Sequence, residues 1–272
     1  VFLVAKINSW LLRHPAKAVP SLEKSVFMQK EWFATWFDSP YYHTLYQKRD
    51  ETEAQRALDS LLRALQLPTS ARILDLACGR GRHARYLAER GFDVTGLDIS
   101  QKSIAFARQF EHERLAFYQH DMRRAFRSNY YDAVMNMFTS FGYFDTDNDH
   151  LQVLKNVANG LRPGGKLLLD YFNSAWVREH LVPSNVQTIE GIEFRLRRYI
   201  YHGRVFKEVS FEVAGRQFQF LESVKLFQLL DFQALFGAAG LSVTEKFGDY
   251  DLSDFDAATS KRLILIAQKS KD

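Results

Sequence analysis

Apolar positions change period along the chain, and each change marks an element. Arg72 to Leu76 is a short apolar run broken only by Asp75, the signature of a central parallel strand. Gly79 and Gly81 then predict a sharp turn. Ala84, Leu87 and Ala88 recur at helical spacing between Arg82 and Arg90, with Gly91 as the stop. Val94 to Leu97 predict a second strand, with Asp98 at its carboxyl end. Strand, glycine turn, helix and acid-terminated strand make half of a nucleotide-binding α/β unit.

The same reading extends in both directions. Further apolar runs predict a third strand at Leu115 to Tyr118, a fourth from Tyr131 and a fifth from Leu161 to Asp170. Upstream, Glu53 to Leu65 places Ala54, Ala57, Leu58, Leu61, Leu62 and Leu65 on one helical side. Residues 29 to 50 are dense in aromatics and split by Pro40. Val1 to Leu12 is apolar with Lys6, Asn8 and Ser9 interspersed, which predicts an amphipathic docking helix; the chain lacks an initiator Met, and the native start and role of residues 1–28 stay open. Downstream, Gln187 to Gln228 switches to period two, with turns at His202-Gly203 and Ala214-Gly215, predicting an antiparallel meander of three or four strands. Leu229 to Ala239 reads as a helix stopped by Gly240, followed by strands at Leu241 to Phe247 and Arg262 to Ala267. The acidic stretch between them, Gly248 to Ser260, reads as a solvated connection in preference to a pocket border.

A carboxylate at the end of the second strand can accept from both hydroxyls of a ribose diol, so Asp98 points to a nucleoside-containing cofactor. The glycines alone do not say which one, because Gly79, Gly81 and Ala84 also satisfy the dinucleotide fingerprint G-x-G-x-x-A. Asp75 stands where dinucleotide folds usually keep an apolar residue, and Asp121 follows the third strand, where it can accept from an adenine amino group.

D-x-A-x-G-x-G followed by V-T-G-x-D-x-S resembles motif I and the following acidic loop of class I S-adenosylmethionine-dependent methyltransferases. The resemblance continues in order: H-D-M-R (His120 to Arg123) resembles the adenine-contacting loop, Tyr131 to Phe144 the fourth strand and active-site loop, and L-R-P-G-G-K-L-L-L-D the fifth strand. It covers residues 52 to 175 and returns at 229 to 269. Ala77 departs from the first glycine of the usual pattern.

The resemblance implies an α/β fold, a Rossmann-like seven-stranded mixed sheet with helices on both faces, plus an antiparallel β insertion. Residues 1–51 would form an aromatic lid, 52–182 and 229–272 the core, and 183–228 the insertion, a substrate wall or dimer contact. S-adenosylmethionine, leaving as S-adenosylhomocysteine, would contact Asp75, Ala77, Gly79, Gly81, Asp98, Ile99, Asp121, Met122, Asn136 and Met137. Tyr41, Tyr46 and Arg49 of the lid would reach its methionine end, Arg49 most strongly because its guanidinium fork suits a carboxylate.

Composition narrows the class. At 272 residues the chain can bury one substantial core. It has no run of about 20 apolar residues, and its single cysteine, Cys78, excludes internal disulfides and fits a reducing, cytoplasmic setting. The net charge of +4 is spread out, and the basic run Arg195, Arg197 and Arg198 alternates with apolar residues as a strand's outer face does. A nucleic-acid partner is therefore not favoured.

Methyl transfer from a sulfonium is an in-line displacement in which alignment contributes most. No N-P-P-Y or D-P-P-Y follows the fourth strand, and no cysteine is placed to attack a pyrimidine. The loop M-F-T-S-F-G-Y-F and the β insertion instead resemble sugar-amine and glycine or sarcosine N-methyltransferases. Tyr42, His43, Phe138 and Tyr171 are the catalytic candidates and Asn173 a further acceptor contact, with Phe138 alternatively a packing residue; no metal site is expected. The expectation is a small-molecule acceptor, methylated at nitrogen by a monomer or homodimer. RNA or protein methylation, or cofactor binding without catalysis, are the alternatives.

Overall fold

Strand β1 (Arg72–Leu76) pairs in parallel with β2 (Asp93–Asp98) on one side and β4 (Tyr131–Asn136) on the other, as a run buried on both faces requires. The computed structural model describes residues 31–46 and 51–271, without the side chains of 51–54. The expected docking helix at Val1 to Leu12, the position of Arg49 and the side chain of Ala54 lie outside the described residues.

Seven strands form the main sheet in the order β10-β11-β5-β4-β1-β2-β3, with β3 at Leu115–Gln119, β5 at Leu161–Phe172, β10 at Leu241–Phe247 and β11 at Arg262–Lys269. Strand β11 is antiparallel to both its neighbours, so the sheet is mixed.

Alternation along each strand sends side chains to opposite faces, and two apolar clusters result. Leu74, Leu76, Val134, Leu167 and Leu169 join one; Ile73, Ala133, Met135 and Leu168 join the other. The second cluster is covered by three helices, α3 (Glu51–Leu65), α4 (Arg82–Glu89) and α5 (Gln101–Ala107), through Leu58, Leu61, Leu87 and Ile104. The first is covered by α6 (Asp147–Gly160) and α8 (Leu229–Ala238), through Val153, Val157, Phe232 and Phe236.

Two short helices, α1 (Trp32–Phe37) and α2 (Pro40–Tyr46), carry the aromatic segment, with Trp36 fully buried. A second, antiparallel sheet contains β6 (Ser184–Ile189), β7 (Ile192–Tyr201), β8 (Arg204–Val213) and β9 (Arg216–Lys225) in that order. Its first strand, S-N-V-Q-T-I, is a mostly exposed edge, so it lacks the alternation that revealed the other three. The third tight turn, Glu190-Gly191, has both residues left-handed, as do the two expected turns.

The helix α7 (Ser174–His180) follows β5 and is capped by Asn173, whose Oδ1 accepts from the Ala175 amide at 3.1 Å. No helix among the described residues is long and apolar enough to cross a membrane.

Candidate active site

The turn after β1 runs through three left-handed residues, Ala77 (φ 64°), Gly79 (φ 54°) and Gly81 (φ 77°). At Ala77 that conformation costs about 1–2 kcal/mol, which a glycine there would avoid. The glycines serve different needs. A Cβ on Gly79 would meet nothing within 4 Å, so that face of the turn is open to a ligand, whereas one on Gly81 would come within 2.5 Å of the Phe117 ring.

Asp98, at the end of β2, is fixed before any ligand arrives. Its Oδ2 accepts the Gly79 amide and its Oδ1 the Ser100 amide, each at 2.8 Å, leaving further lone pairs for a diol. Burial pushes its pKa up, and the Ser100 and Gly79 amides pull it partway back. Asp75 lies beneath the turn, buried, with Oδ2 unpartnered. Burial, and then the charge of Asp98, lift its pKa to about 7.

Ala77, Asp98, Ile99, Asp121 and Met122 converge on one slot, facing Phe33 and Phe37 of α1 and Tyr143 and Phe144 of the loop after β4. The slot holds about 40 Å³, room for a few waters and far short of a purine. Asp121 is gripped by Arg123, whose Nη2 lies 2.6 Å from Oδ2. Burial raises its pKa, but the hydrogen bonds and charge of Arg123 outweigh that and hold it below the usual carboxylate range.

Beyond the turn opens a cavity of about 1220 Å³, bordered by Tyr42, His43 and Tyr46 of α2, by Ala77 and Gly79, and by Met137 and Phe138. His43 Nε2 lies 3.2 Å from Ser103 Oγ, and burial, then the positive charge of Arg80, lower its pKa to about 4. It is therefore neutral at pH 7. The Tyr46 hydroxyl donates to Glu222 Oε1 at 2.7 Å, and Trp36 Nε1 donates to the same oxygen at 2.8 Å.

Phe138 stacks on His83, ring centroids 5.0 Å apart, and both Phe138 (φ 54°) and Thr139 (φ 61°) are left-handed. Such positions cost about 1–3 kcal/mol each unless the surroundings hold them. Here the fully buried Asp170 of β5 does so: its Oδ2 accepts the Phe138 amide at 2.8 Å, and its backbone oxygen accepts the Thr139 amide at 2.9 Å. Arg262 Nε donates to Oδ1 and the Tyr250 hydroxyl to Oδ2, both at 2.8 Å. The Gly248 to Ser260 stretch is otherwise mostly exposed and borders neither cavity, and Tyr250 ties it to Asp170.

The next stretch of this loop is held from the insertion. Arg204 donates from Nη1 to the Phe144 carbonyl at 3.0 Å and from Nη2 to those of Gly142 and Tyr143, both at 3.2 Å.

Several expected residues stand elsewhere. Tyr41 packs on Phe211 and Phe218 of the insertion, at 4.7 and 4.9 Å. Tyr171 is fully buried and its hydroxyl donates to the Lys225 carbonyl, so it faces the seam between the sheets and not the cavity. Asn173 spends its Nδ2 on the carbonyls of Ala257 and Ser260. Asn136 is buried behind the turn, with Nδ2 donating to the Leu76 carbonyl at 3.0 Å and Oδ1 unpartnered. Asp170, Arg262, Arg204 and Glu222 were missed; only Asp170 carried a signal, an acid ending an apolar run as Asp75 interrupts one.

A fixed acid with spare lone pairs, apolar Ile99 and Met122 beside it, the open face of Gly79 and the orphaned Asp75 oxygen together fit a nucleoside with a charged arm. Among the described residues no group of three His, Cys, Asp or Glu side chains could hold a metal.

Known proteins agree with this geometry. A methyltransferase-domain family model matches residues 73–165. YqeM of Bacillus subtilis (strain 168), named as a methyltransferase, is 32% identical over 215 residues, spanning 75% of this chain and 87% of that protein. The dTDP-3-amino-3,4,6-trideoxy-alpha-D-glucopyranose N,N-dimethyltransferase of Streptomyces venezuelae is 29% identical over 216 residues, 74% of this chain and 89% of that enzyme. The crystal structure of an S-adenosylmethionine-dependent methyltransferase from Clostridium acetobutylicum ATCC 824 shares the fold, with a TM-score of 0.71 over 88% of this chain and 98% of that one at 18% identity. Motif order, sheet order and relatives converge on one conclusion: the chain belongs to the class I S-adenosylmethionine-dependent methyltransferases, and S-adenosylmethionine is its cofactor.

Proposed function

We propose that this enzyme methylates a small-molecule amine. The observation that carries the reading is the 1220 Å³ cavity beside the glycine turn, walled by aromatic rings and a neutral imidazole. The cofactor supplies an electrophilic methyl group on a sulfonium. Asp98 would accept from its ribose, Ile99 and Met122 would pack its adenine, Asp121 would accept from the exocyclic amine, and Ala77 and Gly79 would border the methionine arm.

An amine nucleophile must only be neutral, whereas a poorly acidic hydroxyl would need a base. Cationic side chains around the cavity disfavour an ammonium there, so the acceptor sheds its proton on entry. The proton leaves to solvent, and His43, neutral at pH 7, adds no positive charge beside the acceptor. Holding the acceptor in line can contribute roughly 7–11 kcal/mol. Phe138 and Tyr143 border the same cavity, and their ring faces favour positive charge. Residues 183–228 act as the acceptor-side wall, and residues 32–46 as the lid.

RNA docking on the insertion finds less support. Arg195 pairs with Glu193 at 2.8 Å and Arg197 with Glu208 at 3.6 Å, so the basic strand face is largely compensated.

The test is a panel of amino sugars, amino acids and simple amines incubated with enzyme and S-adenosylmethionine, with mass spectrometry of products. Methylated nitrogen in one class supports the reading. Turnover confined to hydroxyl or carbon acceptors, or to RNA, overturns it.

A further inference from the structure

Asp75 of β1 has Gly96 of β2 and Met135 of β4 as its register partners. Both are uncharged. The Asp75 side chain is buried, and its Oδ2 has no hydrogen-bond partner among the described residues. The surroundings on that face of the sheet are apolar: a Cβ on Gly96 would stand 2.5 Å from the Phe117 ring and 2.9 Å from Cys78 Sγ. A bare carboxylate is costly in such a place, and taking up a proton is the usual relief.

The neighbouring charges leave that cost standing. Asp98 repels a second anion, and both its oxygens are already tied to the Gly79 and Ser100 amides. The Ala84 amide and the Arg82 charge, both from α4, act the other way. Burial dominates, and Asp75 therefore stands at about 7. Cys78, pushed up by burial and then by the charges of Asp75 and Asp98, is a neutral thiol at pH 7. Asp75 is thus poised to answer a positive charge placed above the turn. Ala77 and Gly79, proposed to border the methionine arm, lie two and four residues beyond it. That arm carries a sulfonium and an ammonium against one carboxylate, and methyl transfer removes the sulfonium charge.

We propose that Asp75 is a proton-exchanging counter-ion to the cofactor's sulfonium. It holds a proton in the cofactor-free enzyme, releases it to water when S-adenosylmethionine binds, and regains one from water when S-adenosylhomocysteine remains. The bond that breaks and re-forms is the carboxyl O–H alone. The exchange favours the charged methyl donor over its neutral by-product, and does so only where the proton can leave. It rests on the cofactor assignment, and not on nitrogen being the methylated atom.

The experiment titrates S-adenosylmethionine and S-adenosylhomocysteine separately into the full chain by calorimetry at pH 7. Each titration is run in PIPES and in imidazole at fixed ionic strength, and the difference in heat counts the protons released. Wild type is compared with Asp75→Asn, checked for folding by circular dichroism. We expect wild type to release about half a proton per S-adenosylmethionine, because a group at about 7 is half protonated at that pH, and less per S-adenosylhomocysteine. Asp75→Asn should lose that release. Lowering the pH from 7 to 6 should weaken S-adenosylmethionine about fivefold in wild type and not in the variant. No release by wild type overturns the proposal, as does a variant that releases like wild type. Equal release with the two ligands also overturns it, and that comparison needs no variant. Failure of both ligands to bind would overturn the cofactor assignment as well. No methyl acceptor enters this readout, so failure of the amine reading would appear only in the product panel.

Discussion

Gly79 donates its amide to the Asp98 carboxylate across 2.8 Å, tying the turn after β1 to the end of β2. The acid proposed to meet the cofactor's ribose therefore also shapes the turn beside it. Asp98→Ala should raise the dissociation constant for S-adenosylhomocysteine by about 10²- to 10⁴-fold, since two charged hydrogen bonds at roughly 1.5–3 kcal/mol each are lost. Calorimetry on the folded variant checks this, and wild-type affinity would refute the role given to Asp98.

The Asp170 knot predicts a split between two neighbouring substitutions. Arg262→Met leaves a fully buried carboxylate without its cation and should cost about 3–5 kcal/mol in urea unfolding. Tyr250→Phe removes one neutral donor from the same carboxylate and should cost about 1 kcal/mol. Because that bond stiffens the Phe138 loop, Tyr250→Phe should lower kcat while S-adenosylhomocysteine affinity holds. An unchanged kcat would show that the loop keeps its shape without it.

Acid should unfold the protein partly through His150. The ring is fully buried among Phe141, Phe144 and Phe227, with neither nitrogen in a hydrogen bond and Asp147 Oδ1 4.0 Å from Nδ1, and burial lowers its pKa from 6.5 to about 4. Between those values the unfolded chain binds a proton that the folded chain refuses, so stability is full above pH 6.5 and falls as pH drops toward 4. The loss is about 3 kcal/mol from this residue, with His43 acting in the same direction. His150→Leu should flatten that slope in urea melts taken across the window; an unaltered slope would assign it to other groups.

A Cβ at Gly96 would sit 2.5 Å from the Phe117 ring and 2.9 Å from Cys78 Sγ. Gly96→Ala should therefore destabilise the fold by about 1–3 kcal/mol through overpacking. Thermal melts would show it, and Gly203→Ala is no substitute control, because its strain comes from a positive φ in open space.

Cofactor entry should be gated. The slot beside Asp98 and Asp121, proposed to take the adenine, would admit a purine only if Phe33 or Phe37 yields, so Phe37→Ala should speed S-adenosylhomocysteine association in stopped-flow mixing. Ligand should also slow hydrogen exchange in residues 32–46. Association at the same rate in wild type and variant would mean that α1 is not the gate.

The strands and the Asp98 site were legible because their signals are local: an apolar run, a glycine pair and an acid lie within one stretch of chain. Tyr171 misled because burial and cavity-facing look alike in a strand whose two faces are both covered. Tyr41 and Tyr42 are adjacent in sequence, yet one packs on the insertion and the other borders the cavity, a division set by helix rotation. Tyr250, Arg204 and Glu222 reach the site from distant segments, and their partners are chosen by topology that no local pattern encodes. The edge strand β6 escaped notice because water solvates most of it.

Arg204 gives three carbonyls of the loop after β4 their donors from a strand outside the main sheet. Deleting residues 183–228 would remove those donors from the Gly142, Tyr143 and Phe144 carbonyls. Transplanting acceptor choice between relatives would require moving β8, β9 and residues 142–144 as one cassette.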